Sequence, residues 1–285
     1  MTKIHNDTDR LFKRLDDLLD RLELIMPAEK VAQQDWSYHA YRWMQGELHG
    51  IPDYHQVEPT DLLHIERQAD LLTRNTRQFL LNHPANNALL WGARGTGKSS
   101  VIKSQLNRFK DQGLCLVEVT KKEAENLFEI ITTLSLDARK YIIYMDDLSF
   151  ESDDESYKAI KATLEGSIQA QPANVLIYAT SNRRHLMPES MKDNLESHME
   201  DGQLHPSDAI EEKISLSDRF GLWLSFHPFT QNQYLDVVQL ALSNQGLKMD
   251  EETRIRAIRF ATERGSRSGR IATQFATFWL GQQLD

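Results

Sequence analysis

The stretch Gly92-Ala93-Arg94-Gly95-Thr96-Gly97-Lys98-Ser99 carries the strongest structural signal in this chain. It fits the pattern G-x-x-x-x-G-K-[ST], and the apolar run Ala88-Leu89-Leu90-Trp91 leads directly into it. Glycines let the backbone curl so that several N–H groups point at a chain of phosphates. In this pattern the lysine reaches the β- and γ-phosphates and the final hydroxyl binds Mg²⁺. The stretch therefore predicts a strand, a phosphate-binding loop and a helix.

The loop and the first residues of the helix form the predicted nucleotide site. We expect the phosphates to contact Gly92, Ala93, Arg94, Gly95, Thr96, Gly97, Lys98, Ser99 and Ser100. The helix predicted over residues 98–110 directs its positive N-terminal end at the same charge. A glycine-rich turn that fits by chance is the alternative. All fixed positions of the pattern are met in the right context, which favours phosphate binding.

The composition of the 285-residue chain suits one large or two modest domains. Apolar residues make up 40% and charged residues 26%, as is ordinary for a soluble globular protein. No apolar run approaches the roughly 18 residues of a membrane span, and no secretory signal is visible at the N-terminus. The single cysteine, Cys115, lies in an apolar run, where a buried structural thiol is favoured over a reactive one. We therefore expect a cytoplasmic protein.

The first 60 residues are predicted to form a helical accessory region. Leucines recur at helical spacing in residues 11–22, with aspartates on the opposite side. Residues 35–44 are rich in aromatic side chains, which leaves two interpretations. They form a docking surface, or they pack this region onto the main body. The turn Gly50-Ile51-Pro52-Asp53 predicts a boundary before the next domain.

From residue 61 onward, short apolar segments alternate with helical patterns. Strands are predicted over residues 87–91, 114–119, 141–145, 175–179 and 222–226, and helices over 61–81, 98–110, 121–134 and 155–169. Such apolar strands between helices are typical of a parallel sheet covered on both faces. The fold class is α/β, with a P-loop NTPase core over residues 61–228. Residues 191–210 are predicted to be a long loop, and helices over 231–246 and 251–283 predict a helical lid over 229–285.

Polar side chains follow two of the predicted strands. Asp146 and Asp147 end the run Tyr141–Met145, and in P-loop enzymes an acid at this place supports Mg²⁺ coordination. We assign the metal to Ser99 and Asp146, and the orientation or deprotonation of the attacking water to Asp147. Asn182 follows the next strand and is expected to reach the γ-phosphate or the water. An acidic turn and a helix cap are the corresponding structural alternatives.

Arginine is concentrated near the C-terminus, and two interpretations are open. The residues are Arg254, Arg256, Arg259, Arg264, Arg267 and Arg270. They form either a nucleic-acid face or, because Glu251, Glu252 and Glu263 lie among them, a solvated helix of mixed charge. The net charge of −9 gives no sign of nucleic-acid binding over the whole surface.

In the order of its motifs the chain resembles the AAA+ ATPases over roughly residues 61–283. The resemblance rests on the phosphate loop, on Asp146-Asp147 and on three further motifs: Ala179-Thr180-Ser181-Asn182, Ser217-Asp218-Arg219-Phe220 and Gly269-Arg270-Ile271-Ala272. The chain looks most like an uncharacterised bacterial branch of predicted ATPases. It is also similar to replication-initiator, helicase-loader and branch-migration ATPases.

The resemblance implies roles for single residues. Asn182 corresponds to sensor 1, and Arg219 to an arginine that acts in trans on the nucleotide of a neighbouring subunit. Arg270 corresponds to sensor 2, with Arg267 as the fallback, and Ile65 lies where adenine is expected. The resemblance also implies ATP and Mg²⁺ as cofactors, a homo-oligomer, and an unidentified protein or nucleic-acid partner.

One departure from the family pattern bears on the activity. The family usually has Asp-Glu where this chain has Asp146-Asp147, so the second carboxylate is retracted by one C–C bond, about 1.5 Å. A displacement on that scale can cost about a hundredfold in rate. The first hypothesis is a Mg²⁺-dependent ATPase that remodels a macromolecular partner. The alternative is a nucleotide-gated binding module with little or no turnover. A small-molecule kinase or GTPase is a third possibility, disfavoured because the guanine motif Asn-Lys-x-Asp is absent.

Overall fold

The computed structural model describes residues 34–149, 155–165, 172–182, 198–200, 203–205 and 216–283. The chain divides into two compact units, Met1–Asp35 and Trp36–Asp285. Only residues 34 and 35 of the first unit are described, so the helix expected over residues 11–22 lies outside the described residues. The fold given below is that of the second unit. Every helix within the described ranges is too short or too polar to cross a membrane.

A seven-stranded sheet forms the centre of this unit. In chain order the strands are β1 (Ala40–Met44), β2 (Glu47–Gly50), β3 (Ala88–Gly92), β4 (Leu114–Glu118), β5 (Lys140–Met145), β6 (Val175–Ser181), β7 (His198–Glu200), β8 (Gln203–His205) and β9 (Leu222–Phe226). The order across the sheet is β2-β1-β4-β5-β6-β3-β9, while β7 and β8 pair separately. All neighbours in the large sheet are parallel except β1 and β2. The predicted parallel sheet is confirmed.

Helices cover both faces of the sheet and follow its last strand. They are α1 (Glu66–Leu80), α2 (Lys98–Phe109), α3 (Leu127–Leu134), α4 (Glu155–Glu165), α5 (Gln231–Ser243), α6 (Glu251–Glu263) and α7 (Gly269–Gln282). Successive strand residues enter opposite hydrophobic clusters: Leu89 and Ile143 belong to one, Leu90 and Ile142 to the other. Burial on both faces explains why these strands are continuously apolar.

The expectation of a helical region up to residue 60 is wrong over residues 36–58, which contain two strands and no helix before the short 3-10 helix Pro59–Asp61. Strands β1 and β2 form a hairpin that extends the main sheet, with β1 parallel to β4. The turn uses Gln45 and Gly46, both at positive φ, as a two-residue hairpin requires. Tyr41 and Trp43 are each only 1% exposed, so these rings pack the segment onto the core. The division of the chain falls at Trp36 rather than near residue 60.

Two further expectations differ from the structure. The single helix predicted over residues 251–283 is two helices, because Gly265 adopts a φ of 62° and Ser268 begins a new helix by accepting a hydrogen bond from Ile271 N. Within the loop predicted over residues 191–210, β7 and β8 pair as an antiparallel hairpin. The other residues of that loop lie outside the described ranges.

Candidate functional site

The sheet order brings the predicted site residues to one edge. Strand β6 lies between β3 and β5, and all three are parallel, so their carboxyl ends meet. The loop after β3 is the glycine-rich stretch, the residues after β5 are Asp146 and Asp147, and Asn182 follows β6. Ligands of open α/β sheets bind at the carboxyl ends of the strands. Three segments that are far apart in sequence therefore form one site.

The phosphate loop has the tight backbone that its glycines predict. Gly97 adopts a φ of 97°, and a Cβ placed on it would lie 2.7 Å from Cδ1 of Ile65. Helix α2 begins directly after it, so the helix N-terminus faces the inside of the loop. The side chain of Thr96 donates to the carbonyl of Ala93 at 2.8 Å and closes the loop. The loop is therefore shaped to accept an anion against backbone N–H groups.

Lys98 lies at the mouth of this loop and is 7% exposed. Its ammonium donates to the carbonyls of Gly92 at 2.8 Å and Ala93 at 2.7 Å, and to Oδ1 of Asn182 at 3.2 Å. Burial lowers the pKa of Lys98 below its ordinary value, and the nearby Asp147 carboxylate acts in the opposite direction. The hydrogen-bond partners of this buried ammonium are all neutral oxygens, and a triphosphate would offer it negatively charged ones.

Asp146 is held in place by two hydroxyl groups. Its Oδ1 accepts hydrogen bonds from Ser99 Oγ at 2.7 Å and from Thr180 Oγ1 at 2.6 Å. Burial alone would raise the pKa of this carboxyl, but the hydrogen bonds from Thr180 and Ser99 outweigh it and the pKa is lowered. Asp146 is therefore ionised at neutral pH, next to the hydroxyl expected on Mg²⁺. The sequence did not single out Thr180, although a hydroxyl at the end of β6 was the available signal.

Asp147 has an unusual backbone, with a φ of 52°. Its N–H donates to Thr180 Oγ1 at 2.9 Å, and its Oδ1 accepts a hydrogen bond from Nδ2 of Asn182. A guanidinium nitrogen of Arg94 lies 4.0 Å from Oδ2, with both side chains exposed. Aspartate tolerates the left-handed region better than longer side chains do, which gives a local reason for aspartate rather than glutamate here.

A cavity of about 780 Å³ extends from the phosphate loop to the C-terminal helices. One end is polar and includes Lys98, Asp146 and Asn182. The part lined by the segment before α1 and by α5 and the residues after it contains the apolar side chains Leu62, Ile65, Val237, Leu240 and Ala241, together with the polar Asn244 and Gln245. This division suits a ligand with a flat apolar ring and a charged tail. Ile65 lines this cavity, and its contact with adenine stays a prediction.

The C-terminal helices touch the phosphate loop directly. The N–H of Gly269, the first residue of α7, donates to the carbonyl of Gly95 at 2.8 Å. Gly95 has a φ of 73°, and a Cβ on it would lie 2.8 Å from Oγ of Ser268. Arg270 is the next residue of α7 and lines the cavity. The position of the helical segment and the shape of the loop are thus mechanically linked.

The three candidate arginines, Arg219, Arg267 and Arg270, differ in their access to the cavity. Among the described residues that line the cavity, Arg270 is present, whereas Arg219 and Arg267 are not. Arg219 is exposed in a turn before β9, where its N–H donates to the carbonyl of Leu216 at 3.2 Å. Arg270 rather than Arg267 therefore has access to the site within one chain. The trans role of Arg219 stays a prediction.

Ion pairs on α6 bear on the two interpretations of the C-terminal arginines. Arg254 pairs with Glu251 at 3.4 Å and Arg256 pairs with Glu252 at 2.8 Å, at helical spacing. Arg256 also lies over the ring of Trp279. These contacts favour a solvated helix of mixed charge.

The residues present fit a nucleotide-bound Mg²⁺ rather than a metal held by protein alone. Within the described ranges no group of three or more His, Cys, Asp or Glu side chains is arranged to hold a metal. Mg²⁺ at a phosphate site needs only one or two carboxylates, a hydroxyl and phosphate oxygens. Asp146 and Ser99 supply that set of oxygen atoms at one place.

A family model described as "Protein of unknown function (DUF815)" matches residues 36–283. The chain belongs to the DUF815 family. The matched range begins at Trp36, where the second compact unit also begins. No curated protein matches this DUF815 chain.

Solved structures identify the fold of this DUF815 member. ORC1 of Aeropyrum pernix in complex with DNA superposes with a TM-score of 0.54 and 18% identity, covering 82% of this chain and 64% of that chain. A RuvB mutant of Thermotoga maritima superposes with a TM-score of 0.50 and 12% identity, covering 76% of this chain and 61% of that chain. The chain therefore spans under two thirds of the length of these structures. These likenesses show the fold alone, and the predicted α/β fold with a P-loop NTPase core is confirmed.

Proposed function

We propose that this protein is a Mg²⁺-dependent ATPase that couples its nucleotide state to the remodelling of a macromolecular partner. The observation that carries the proposal is the convergence of Lys98, Asp146, Asp147 and Asn182 on the polar end of one cavity. Each has the charge or hydrogen-bonding capacity that triphosphate hydrolysis requires. The apolar end of the same cavity supports a purine ring.

In this proposal, Lys98 and the loop N–H groups bind the phosphates. The ammonium of Lys98 exchanges the carbonyls of Gly92 and Ala93 for charged phosphate oxygens, which form the stronger hydrogen bonds. Ser99 and Asp146 would hold Mg²⁺, which would supply positive charge against the phosphates. The apolar side chains around Ile65 and Leu240 hold the base.

Asp147 and Asn182 act on the attacking water. The carboxylate of Asp147 accepts a proton from the water or orients it, and Asn182 positions the carboxylate through their hydrogen bond. Arg270 faces the same cavity from α7 and stabilises charge on the γ-phosphate. We assign Arg219 to the nucleotide of a neighbouring subunit, because it is exposed and lies outside the cavity of its own chain.

Coupling to a partner follows from the bond between Gly269 and Gly95. The carbonyl of Gly95 accepts the hydrogen bond from the first residue of α7. If the phosphate loop changes shape around the γ-phosphate, this carbonyl moves, and the helical segment therefore responds to nucleotide state. The partner in this proposal is a protein or a nucleic acid. The similarity to ORC1 in complex with DNA supports the second choice. We also propose a cytoplasmic location, supported by the buried thiol of Cys115.

A nucleotide-gated module with little turnover is the second candidate. It is favoured by Asp147, whose carboxylate is short and is bound by Asn182 with Arg94 nearby. In that case ATP binding sets the position of the helical segment, and hydrolysis is too slow to drive a cycle.

Nucleotide binding and phosphate release distinguish these possibilities. We expect the wild-type chain to bind a fluorescent ATP analogue with Mg²⁺, and Lys98→Ala to abolish binding. Lys110→Ala removes a cation at the far end of the same helix and should bind normally. Phosphate release is then followed over hours, with Lys98→Ala as the blank. Release above the blank supports the ATPase, binding without release supports the gated module, and absence of binding contradicts both.

A further inference from the structure

A buried tyrosine lies directly beneath the proposed metal site. Tyr144 lies on β5, and Asp146 follows directly after the strand, two residues later. Because side chains alternate along a strand, both point to the same face of the sheet. Helix α2 covers this face, with Ser99 in its first turn and Lys103 one turn later. The ammonium of Lys103 lies 5.7 Å from the centre of the Tyr144 ring. Tyr144 itself is 1% exposed.

The hydroxyl of Tyr144 has no hydrogen-bond partner among the described residues. It nevertheless lies close to the two metal-site side chains without forming a hydrogen bond of ordinary geometry: burial raises the pKa of Tyr144 above its ordinary value, the charge and proximity of Asp146 raise it further, and the nearby Ser99 lowers it. An unpaired buried hydroxyl costs about 1–3 kcal/mol, so its retention at this place calls for a reason. The Tyr144 hydroxyl can therefore donate a hydrogen bond to a neighbouring acceptor that moves toward it.

A second tyrosine provides the contrast. Tyr178 on β6 is the register partner of Tyr144 on β5 and is also buried. Its hydroxyl is fully engaged, with Asn75 Nδ2 at 3.0 Å and Thr76 Oγ1 at 2.9 Å. Two buried tyrosines at the same level of the sheet thus differ in one respect. The hydroxyl without a partner is the one beside the metal site.

We propose that Tyr144 is a positioning residue for Asp146 in the magnesium-bound state. Ser99 and Thr180 both donate to Oδ1 of Asp146. If the oxygen of Ser99 were given to a bound metal, the Asp146 carboxylate would keep only the hydrogen bond from Thr180 and could rotate about its Cβ–Cγ bond. The Tyr144 hydroxyl then donates to Asp146 and fixes its orientation.

This inference rests on the proposed function, because it concerns the same metal site. Partners that orient a metal ligand typically change metal affinity by about 10–100-fold when removed. We expect Tyr144→Phe to weaken the Mg²⁺ contribution to nucleotide binding by about tenfold. The Mg²⁺-free affinity stays unchanged, since the phosphate loop and base site are intact.

The test compares binding of a fluorescent ATP analogue in Mg²⁺ and in EDTA for the wild type, Tyr144→Phe and Tyr178→Phe. Binding of Mn²⁺ to the nucleotide complex, followed by electron paramagnetic resonance, gives a readout independent of turnover. Tyr178→Phe removes an equally buried hydroxyl and controls for loss of stability, which thermal unfolding measures for all three proteins.

The expected result is a weaker Mn²⁺ site and a reduced Mg²⁺ effect in Tyr144→Phe alone. Equal metal affinity in the wild type and Tyr144→Phe would overturn the inference and leave the ATPase proposal standing. A wild-type chain that binds nucleotide without any effect of Mg²⁺ would instead contradict the proposed metal site. If both tyrosine variants lose metal affinity equally, the cause is general destabilisation and the inference is wrong.

Discussion

Asn182 donates a hydrogen bond from Nδ2 to Oδ1 of Asp147, and its own Oδ1 accepts one from Lys98. The residue after β6 thus connects the proposed base after β5 with Lys98, the proposed phosphate ligand that follows β3. A γ-phosphate that draws Lys98 away from Asn182 would therefore also change the hydrogen bonding of Asn182, which is the partner of Asp147. This relationship gives a direct route from phosphate binding to the arrangement of the water-binding carboxylate.

The first prediction concerns Asp147. Asp147→Asn preserves size and the positive φ that Asp and Asn tolerate, but it removes the proton acceptor. We expect ATP affinity within about twofold of wild type and phosphate release reduced by about 10²-fold or more, the scale of general-base catalysis. Steady-state phosphate release and equilibrium ATP binding measure the two effects. Hydrolysis at the wild-type rate would show that another group activates the water.

The second prediction concerns the contact between Gly95 and α7. Gly95→Ala places a Cβ 2.8 Å from Ser268 Oγ at a φ of 73°. Gly246 is a matched control, because it has a φ of 75° and nothing within 4 Å of a Cβ. Both alanine variants should lose about 1–2 kcal/mol from backbone strain. We expect only Gly95→Ala to lower ATP affinity as well.

Thermal unfolding and ATP titration separate strain from the loss of the contact. The expected pattern is similar destabilisation of the two glycine variants, with weaker ATP binding confined to Gly95→Ala. Equal ATP affinities would mean that the position of α7 does not influence the phosphate loop, which removes the proposed basis for coupling.

The third prediction concerns Arg219. If it acts in trans, Arg219→Ala should lower turnover by about 10³-fold, as loss of an arginine finger does, with little change in ATP affinity. Mixing Arg219→Ala with Lys98→Ala should then restore part of the activity, because an intact interface forms between the two. Arg267→Ala, an exposed arginine outside the cavity, serves as the control. Full turnover of Arg219→Ala at concentrations where the chain is oligomeric would exclude the trans role.

The fourth prediction concerns pH and the thiol of Cys115. Burial raises the pKa of Cys115 from 9.0 to about 11. A group whose pKa is raised in the folded state stabilises that state below its unfolded pKa, and the stabilisation is lost as pH rises toward the folded pKa. Between pH 9 and 11 the unfolding free energy should therefore fall by up to about 1.4 kcal/mol per pH unit from this group.

Cys115→Ala isolates the thiol by difference, because other buried groups that lower the stability in this pH range, such as Tyr178, are present in both proteins. Urea unfolding at several pH values should give a shallower decline for Cys115→Ala than for wild type. Parallel curves would show that the thiolate is not excluded from the folded state. In the native protein the thiol should also resist alkylation at pH 8, as expected for a structural cysteine.

The sequence predicted the core strands well because their signal is local. Strands β3, β4, β5 and β6 are largely buried on both faces, and continuous apolar runs follow directly from that environment, while the edge strand β9 is only partly buried. The hairpin of β1 and β2 escaped prediction because its aromatic residues suit helices, sheets and interfaces alike. Its strand conformation is set by pairing with β4, which lies more than sixty residues away in the chain.

The candidate site was partly predictable for the same reason. Lys98, Ser99, Asp146 and Asn182 stand at strand ends with a recognisable pattern, and parallel strands gather their ends at one edge. Thr180 lies within the motif Ala179-Thr180-Ser181-Asn182, but the motif gave it no role of its own, and Tyr144 lies inside an apolar run without any pattern. Their hydroxyls lie near Asp146 only because β6 is the neighbour of β5 in the sheet and α2 covers both strands.

The amino-acid sequence by itself determined the phosphate loop, the α/β class and the chemical types available for catalysis, because these depend on neighbouring residues and on burial patterns along single elements. The tertiary structure alone decided that Arg270 rather than Arg267 reaches the cavity, that Gly269 binds Gly95, and that Asp147 adopts a left-handed backbone. These features result from contacts between segments separated by many residues. Packing and hydrogen-bond geometry between them fix positions that no local pattern encodes.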